Sequence, residues 1–432
     1  MNPLATELNR TIERCSPHVF ALLSERGKRL FWPRGILFQS AEAREKAHRF
    51  NATIGEATEA GGPMALPSVV AHLGDLTPAD ALRYAPAQGK PELRRAWREK
   101  LLADNPAMRG RTFGDPIVTS AITHGLSIVG DLFVNPGDVV LVPDMLWDNY
   151  LLAYETSYEA EVRTYPTYVA GRFNAQGLGA ELAKAPGKAI VILNFPNNPT
   201  GYMPSLAEVE EIRDVLLRAA EAGTRIVAVI DDAYFGLVYD ERALAESPFG
   251  YLANLHPRML SIKLDAATKE LFVWGLRCGF LSYGAPPVDE SEPLLAALEK
   301  KTMGAIRAAV SNSPAVSQSI VLKALRSPSL KAERDAKLRT LRDRAAKVRE
   351  EVYRPEYQPS WDVHPFNAGY FMCIRVKGVS AEKLRVHLLE RYGIGVIAFG
   401  ESDIRIAFSS LELADIAPLF AGLHSAIQEL RG

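Results

Sequence analysis

The sequence predicts an α/β protein of two domains: a larger one with a mostly parallel central sheet flanked by helices, and a smaller α+β one. Three observations predict this. The chain has 432 residues, more than the ~100–200 that one domain usually takes. Between about residues 115 and 285, short β-branched, apolar runs alternate with helix-period patterns. Past residue 315 the composition turns rich in Lys and Arg, then mixes strand-like and helix-like segments.

The strand-like runs are residues 139–142, 190–193, 226–230, 260–262 and 280–283. They are apolar throughout, as expected of strands covered on both faces. Residues 206–222 read as one of the intervening helices, with Val209, Ile212, Leu216 and Leu217 at helical spacing. An open sheet of this kind binds ligands beyond the carboxyl ends of its strands. Residues 315–351 then predict a long helix interrupted near Pro328, its charges forming a solvated face. A strand over 370–376, a helix over 381–392, a strand over 404–408 and a closing helix complete the chain.

Composition excludes several classes of function. Fifty Lys and Arg oppose 51 Asp and Glu, for a net charge of −1. No basic excess is available to steer the protein toward nucleic acid or an anionic membrane. Hydrophobic residues make up 47% and charged residues 23%, the balance of a soluble globular protein. Cys15, Cys278 and Cys373 are too few and too scattered for a disulfide framework or a metal site, which points to a reducing, cytoplasmic home. The first 15 residues mix both charge signs and read as no signal peptide. Apolar runs such as 226–230 fall far short of the ~20 residues that span a bilayer.

Three stretches carry chemistry. Residues 194–201, NFPNNPTG, follow a predicted strand and are made of loop-building residues. Residues 230–234, IDDAY, bring a carboxylate to the end of the next strand, where it can meet a ligand or cap a helix. Lys269 lies between two predicted strands in TKELFVWGLRCGF, with Arg277 eight residues on. Most lysines are surface residues, but Phe272, Val273, Trp274 and Leu276 surround this one in sequence. Desolvation and a nearby cation lower an amine's pKa and make it nucleophilic toward an aldehyde.

In this order, from about residue 51 to 410, these stretches resemble the pyridoxal-phosphate enzymes of fold type I, specifically the class I/II aminotransferases of the aspartate/aromatic branch. The resemblance implies that Lys269 holds the cofactor, pyridoxal 5'-phosphate, covalently and carries the proton from the substrate's Cα. It implies that Asp231 pairs with the pyridine nitrogen, with Asp232 as a spacer, and that Asn198 and Tyr234 bind the ring oxygen. Arg277 matches the phosphate-gripping arginine, a planar and permanently charged fork. Gly125, Leu126 and Ser127, in ITHGLS, match the backbone that cradles the phosphate at a helix N-terminus. Trp147 matches the aromatic stacked on the ring, and Tyr84 the tyrosine that reaches the neighbouring subunit's phosphate. For the substrate, Gly55 matches a contacting glycine and Arg405 the clamp on the α-carboxylate. Arg307, in AIRAAVSNSP, matches a second arginine that binds a side-chain carboxylate, the alternative being a solvated residue after a helix rich in Lys and Glu.

Two departures stand out. Ala266 occupies the place of a phosphate-holding serine, with Thr268 as the nearest hydroxyl, and residues 270–274 replace a glycine-rich stretch. The resemblance further implies a large domain over 51–315, a small domain over 1–50 and 316–432, and a homodimer with shared active sites. The implied reaction is transamination between an L-amino acid, dicarboxylic and/or aromatic, and a 2-oxo acid such as 2-oxoglutarate. A fold type I lyase or decarboxylase is the alternative, because it would keep the same cofactor residues.

Overall fold

The apolar runs become the interior of a seven-stranded sheet. The computed structural model describes residues 1–31, 35–185 and 187–432. Its strands are β1 (Ile117–Thr119), β2 (Val139–Pro143), β3 (Glu161–Tyr165), β4 (Lys188–Asn194), β5 (Arg225–Asp231), β6 (Met259–Ala266) and β7 (Gly279–Gly284). They lie in the order β1-β7-β6-β5-β4-β2-β3. Only β7 runs antiparallel to its neighbours. Every residue of β2 and β7 is buried, as is all but the first of β4 and β5. Strands buried on both faces have no polar alternation to display. The edge strands β1 and β3 escape a reading by apolar runs, because β1 has three residues and β3 exposes Glu161 and Thr164.

The helices that frame the two domains include, in chain order, α1 (Pro3–Cys15), α2 (Ile36–Lys46), α3 (Pro91–Asp104), α4 (Ala121–Phe133) and α5 (Leu206–Glu221). They continue with α6 (Ser291–Ala309), α7 (Ala315–Leu325), α8 (Leu330–Val352), α9 (Ala381–His387) and α10 (Ile416–Arg431). A capping box of Ser205 and Glu208 starts α5, which buries Val209, Ile212 and Leu216. In the smaller domain, β8 (Trp361–Val363), β9 (Phe371–Val376), β10 (Ile397–Phe399) and β11 (Asp403–Ala407) form an antiparallel sheet in the order β8-β9-β11-β10. Ile374, Leu384, Ile404 and Phe420 belong to its core.

The domain boundaries differ from those the sequence implies. The predicted helix over 315–351 is two helices, broken around Pro328 as its sequence suggests. Helix α7 buries Ile320, Val321 and Ala324 in the large core, so the large domain runs past residue 315. Helix α8 starts in that core with Leu330 and Leu341 and ends in the small one with Val348 and Val352. Residues 1–50 also divide. Helix α2 packs on the small domain, where Gln39 exchanges two 2.8 Å hydrogen bonds with the backbone of Ala398 and Glu42 meets Arg385 at 2.8 Å. Arg29, in contrast, pairs with Glu159 of the large domain at 2.8 Å, and Arg26 lies over the Tyr158 ring.

Candidate active site

Parallel pairing brings the carboxyl ends of β4, β5 and β6 side by side, with Asn194 opposite Asp231 and Asp231 opposite Leu264. Asn194 donates to the Asp231 carbonyl at 3.1 Å and accepts from the Asn198 N–H at 2.8 Å, which folds the NFPNNPTG loop back over the strand ends. Gly201 closes that loop at φ +73°, and a Cβ there would lie 2.0 Å from the carbonyl oxygen of Phe371. Only glycine lets β9 of the small domain approach so closely.

Asp231 is 1% exposed. Its Oδ2 accepts from the Tyr150 hydroxyl at 2.6 Å and its Oδ1 from the Ala233 N–H at 3.1 Å. Burial pushes its carboxyl up, while the Tyr150 hydroxyl and the Lys269 charge pull it back. Lys269 sits in the turn Ala267–Glu270 that follows β6, its amine 4.6 Å from the centre of the Tyr234 ring. Burial lowers the amine to about 8 against the opposing pull of Asp231, and Arg277 adds to the lowering. Asp231, Tyr234, Lys269, Asn198, Trp147, Arg277, Gly55 and Arg405 all border one cavity of about 350 Å³.

Arg405, on β11, is 2% exposed. It donates to Asn198 Oδ1 at 2.9 Å and to the Thr53 carbonyl at 2.8 Å, and it stacks 4.2 Å from the centre of the Phe371 ring. These partners are neutral, and its Nε has none among the described residues. Trp147 packs edge-on against Tyr150 at 5.6 Å. At Gly55 a Cβ would come within 3.2 Å of Phe371 and 3.6 Å of the Tyr234 hydroxyl. Arg277 has φ +49° and donates to the Trp274 carbonyl at 3.2 Å.

The helix N-terminus falls elsewhere than the sequence implies. Helix α4 starts at Ala121, so Gly125, Leu126 and Ser127 lie one turn inside it, with their amides committed to the helix. Leu126 is fully buried, and Ser127 lies 3.4 Å from the Tyr158 hydroxyl. Ala121, Ile122 and Thr123 reach the cavity in their place. Ala121 holds φ +65°, a conformation alanine rarely takes and its letter does not announce. Gly279 makes room for it, since a Cβ there would stand 2.7 Å from the Ala121 Cα.

Two expected residues lie outside this chain's own cavity. Tyr84 is 92% exposed. Arg307, in the last turn of α6, is exposed and donates to the Ser311 hydroxyl at 2.7 Å. Asp232 is more than a spacer: its Oδ2 accepts from Ser247 at 2.6 Å and takes the amine of the fully buried Lys263. Lys263 also lies 3.4 Å from Asp265. Tyr150 went unread in the sequence, although its place one turn after Trp147 in WDNY is the signal that could have found it.

The side chains fit a flat, anionic aldehyde. A reactive amine and a buried carboxylate face the same space as a helix start and Arg277, a ready seat for phosphate. Thr268 Oγ1, buried beside Lys269, has no partner among the described residues and is the hydroxyl available where Ala266 offers none. Sheet order and site together define a pyridoxal-phosphate enzyme of fold type I. The family model of aminotransferase class I and II matches residues 50–423, and the chain belongs to that family. It is 29% identical over 359 residues to an aspartate/prephenate aminotransferase of Cereibacter sphaeroides, covering 77% of this chain and 81% of that one. It is 27% identical over 310 residues to the cytoplasmic aspartate aminotransferase of Gallus gallus, covering 68% and 72%. The solved aminotransferase of Anaerococcus prevotii superposes with a TM-score of 0.83 at 20% identity, covering 94% of this chain and 98% of that one.

Proposed function

We propose that the protein transaminates between an L-amino acid, dicarboxylic and/or aromatic, and a 2-oxo acid such as 2-oxoglutarate, in active sites shared by two copies of the chain. The observation that carries this is Arg405, a buried guanidinium whose partners are all neutral. Among the described residues Arg405 makes no ion pair, only a longer-range attraction to Asp148. A buried charge left so costs several kcal/mol that a bound carboxylate would offset. The α-carboxylate of an amino or oxo acid supplies it. When bound, pyridoxal 5'-phosphate supplies an aldehyde that captures amines and a ring that draws electrons from Cα. The amine of Lys269, lowered to about 8, takes and returns the Cα proton. Asp231 holds a proton at the ring nitrogen. Asn198 gives its oxygen to Arg405 and keeps its NH₂ for the ring oxygen, beside the Tyr234 hydroxyl. Arg277, Thr268 and the amides of Ala121–Thr123 take the phosphate, and Trp147 stacks on the ring.

Tyr84 and Arg307 point to a homodimer, since each is exposed in its own chain and matches a residue that the family lends across a twofold axis. A reducing compartment such as the cytoplasm suits the three unpaired cysteines. No helix among the described residues is long and apolar enough to cross a membrane.

The test is a half-reaction. Holoprotein given an amino acid alone should release one equivalent of 2-oxo acid per site and lose its yellow colour, which added 2-oxoglutarate restores. Repeated turnover without an oxo acid, with ammonia or carbon dioxide released, would establish a lyase or decarboxylase instead.

A further inference from the structure

A second cavity of about 350 Å³ adjoins the active-site cavity, and Glu56 and Trp274 border both. The annex is otherwise apolar, with Met64, Leu66, Val69, Val273 and Leu276 in its walls. Met64 and Leu66 are each 1% exposed and form its floor, while Val70 and Leu73, about half exposed, form its rim. Glu56 is fixed at the junction: it follows Gly55, and its carbonyl accepts from the Ser409 hydroxyl at 2.9 Å. Among the described residues its carboxylate makes no ion pair. The only other carboxylate bordering either cavity is Asp231, already engaged by Tyr150 and Ala233. Arg307 of the same chain borders neither.

We infer that this annex receives the substrate's side chain, and that Glu56 at its mouth makes the enzyme select uncharged aromatic or long aliphatic amino acids over dicarboxylic ones. The inference rests on the transamination reading and narrows its substrate class. Arg405 fixes the α-carboxylate, leaving the side chain to extend toward the annex. An apolar side chain gains there by leaving water. A second carboxylate meets Glu56 between low-dielectric walls, where like charges repel far more strongly than in water. Selectivity of this kind comes from repelling the wrong partner as much as from holding the right one.

Two unreactive ligands test it by calorimetry on the holoprotein: phenylpropionate, which pairs one carboxylate with an apolar tail, and succinate, which carries two carboxylates. The wild type should bind phenylpropionate about tenfold more tightly or better. Glu56→Gln, equal in size and uncharged, should tighten succinate about tenfold and leave phenylpropionate nearly unchanged. Gly275 also borders the annex, and a Cβ there would meet nothing within 4 Å. Gly275→Leu should therefore fold, weaken phenylpropionate and spare succinate. Equal or tighter succinate binding by the wild type, or an equal shift of both ligands in Glu56→Gln, overturns the inference. Neither ligand undergoes amino transfer, so a failure here is distinguishable from a failure of the half-reaction test and leaves the transamination reading standing.

Discussion

Lys269 carries its amine near pKa 8 because burial disfavours the ammonium, and Arg277 adds to what Asp231 cannot offset. The neutral amine is the nucleophile, so capture of pyridoxal 5'-phosphate by the cofactor-free protein should accelerate with pH and level off just above 8. An ordinary lysine would keep accelerating to about 10.4. Lys269→Ala should abolish covalent capture, and borohydride reduction with peptide mapping should find the label on Lys269 alone. A label on another lysine, or a rate still climbing at pH 10, would reject the assignment. The neighbouring acids should separate cleanly. Asp231→Ala should keep the fold and slow exchange of the substrate's Cα proton for deuterium by about 10²-fold or more, a loss typical of a removed electrostatic stabiliser. Asp232→Ala withdraws the main partner of the buried Lys263 and should cost about 3–5 kcal/mol in denaturant unfolding. If Asp232→Ala slowed exchange equally and left stability intact, the two roles would have to be exchanged.

Much of the site is legible because its residues stand in short contiguous motifs at strand ends: Asn198 after β4, Asp231 at the end of β5 with Tyr234 just past it, Lys269 and Arg277 between β6 and β7. The inner strands β2, β4 and β5 are legible for a related reason, since burial on both faces writes an unbroken apolar run, whereas β6 hides Ser261, Lys263 and Asp265 in the interior. Features that depend on three-dimensional pairing are not. Tyr150 bonds Asp231 from 81 residues away, and the start of α4 depends on an alanine at φ +65° beneath Gly279. That last contact makes a prediction about the element. Gly279→Ala places a methyl group 2.7 Å from the Ala121 Cα, so strand and helix must part. Cofactor affinity should fall about tenfold and stability by about 1–3 kcal/mol, the usual cost of overpacking. Gly110→Ala is the control, with φ +78° and nothing within 4 Å. It should cost about 1 kcal/mol through backbone strain alone and leave affinity unchanged. Equal affinity in the two variants would mean that the start of α4 does not hold the phosphate.

In the whole molecule, each site lacks the two side chains that the dimer is proposed to lend. Mixing Lys269→Ala with Tyr84→Ala, each impaired alone, should restore activity through hybrid dimers with one intact site. Random pairing makes half the dimers hybrid, so recovery should approach roughly a quarter of the wild-type rate. No recovery after verified subunit exchange, or full activity in a monomer, would show each site to be complete in one chain.

Helix α8 belongs to both domains. Near its N-terminus Arg334 grips Glu270, the residue after Lys269, at 2.7 Å. Farther along, the buried Arg344 donates to the carbonyls of Thr58 and Ser409 and to Glu412. Twenty-three residues make a rod about 35 Å long. Mechanically it is a tiller. Through Arg344 and Arg334 the one helix ties the domain that carries Arg405 to the turn that carries Lys269. Any turn of one domain against the other would have to carry this shared helix with it, so the two cores are steered by one spar.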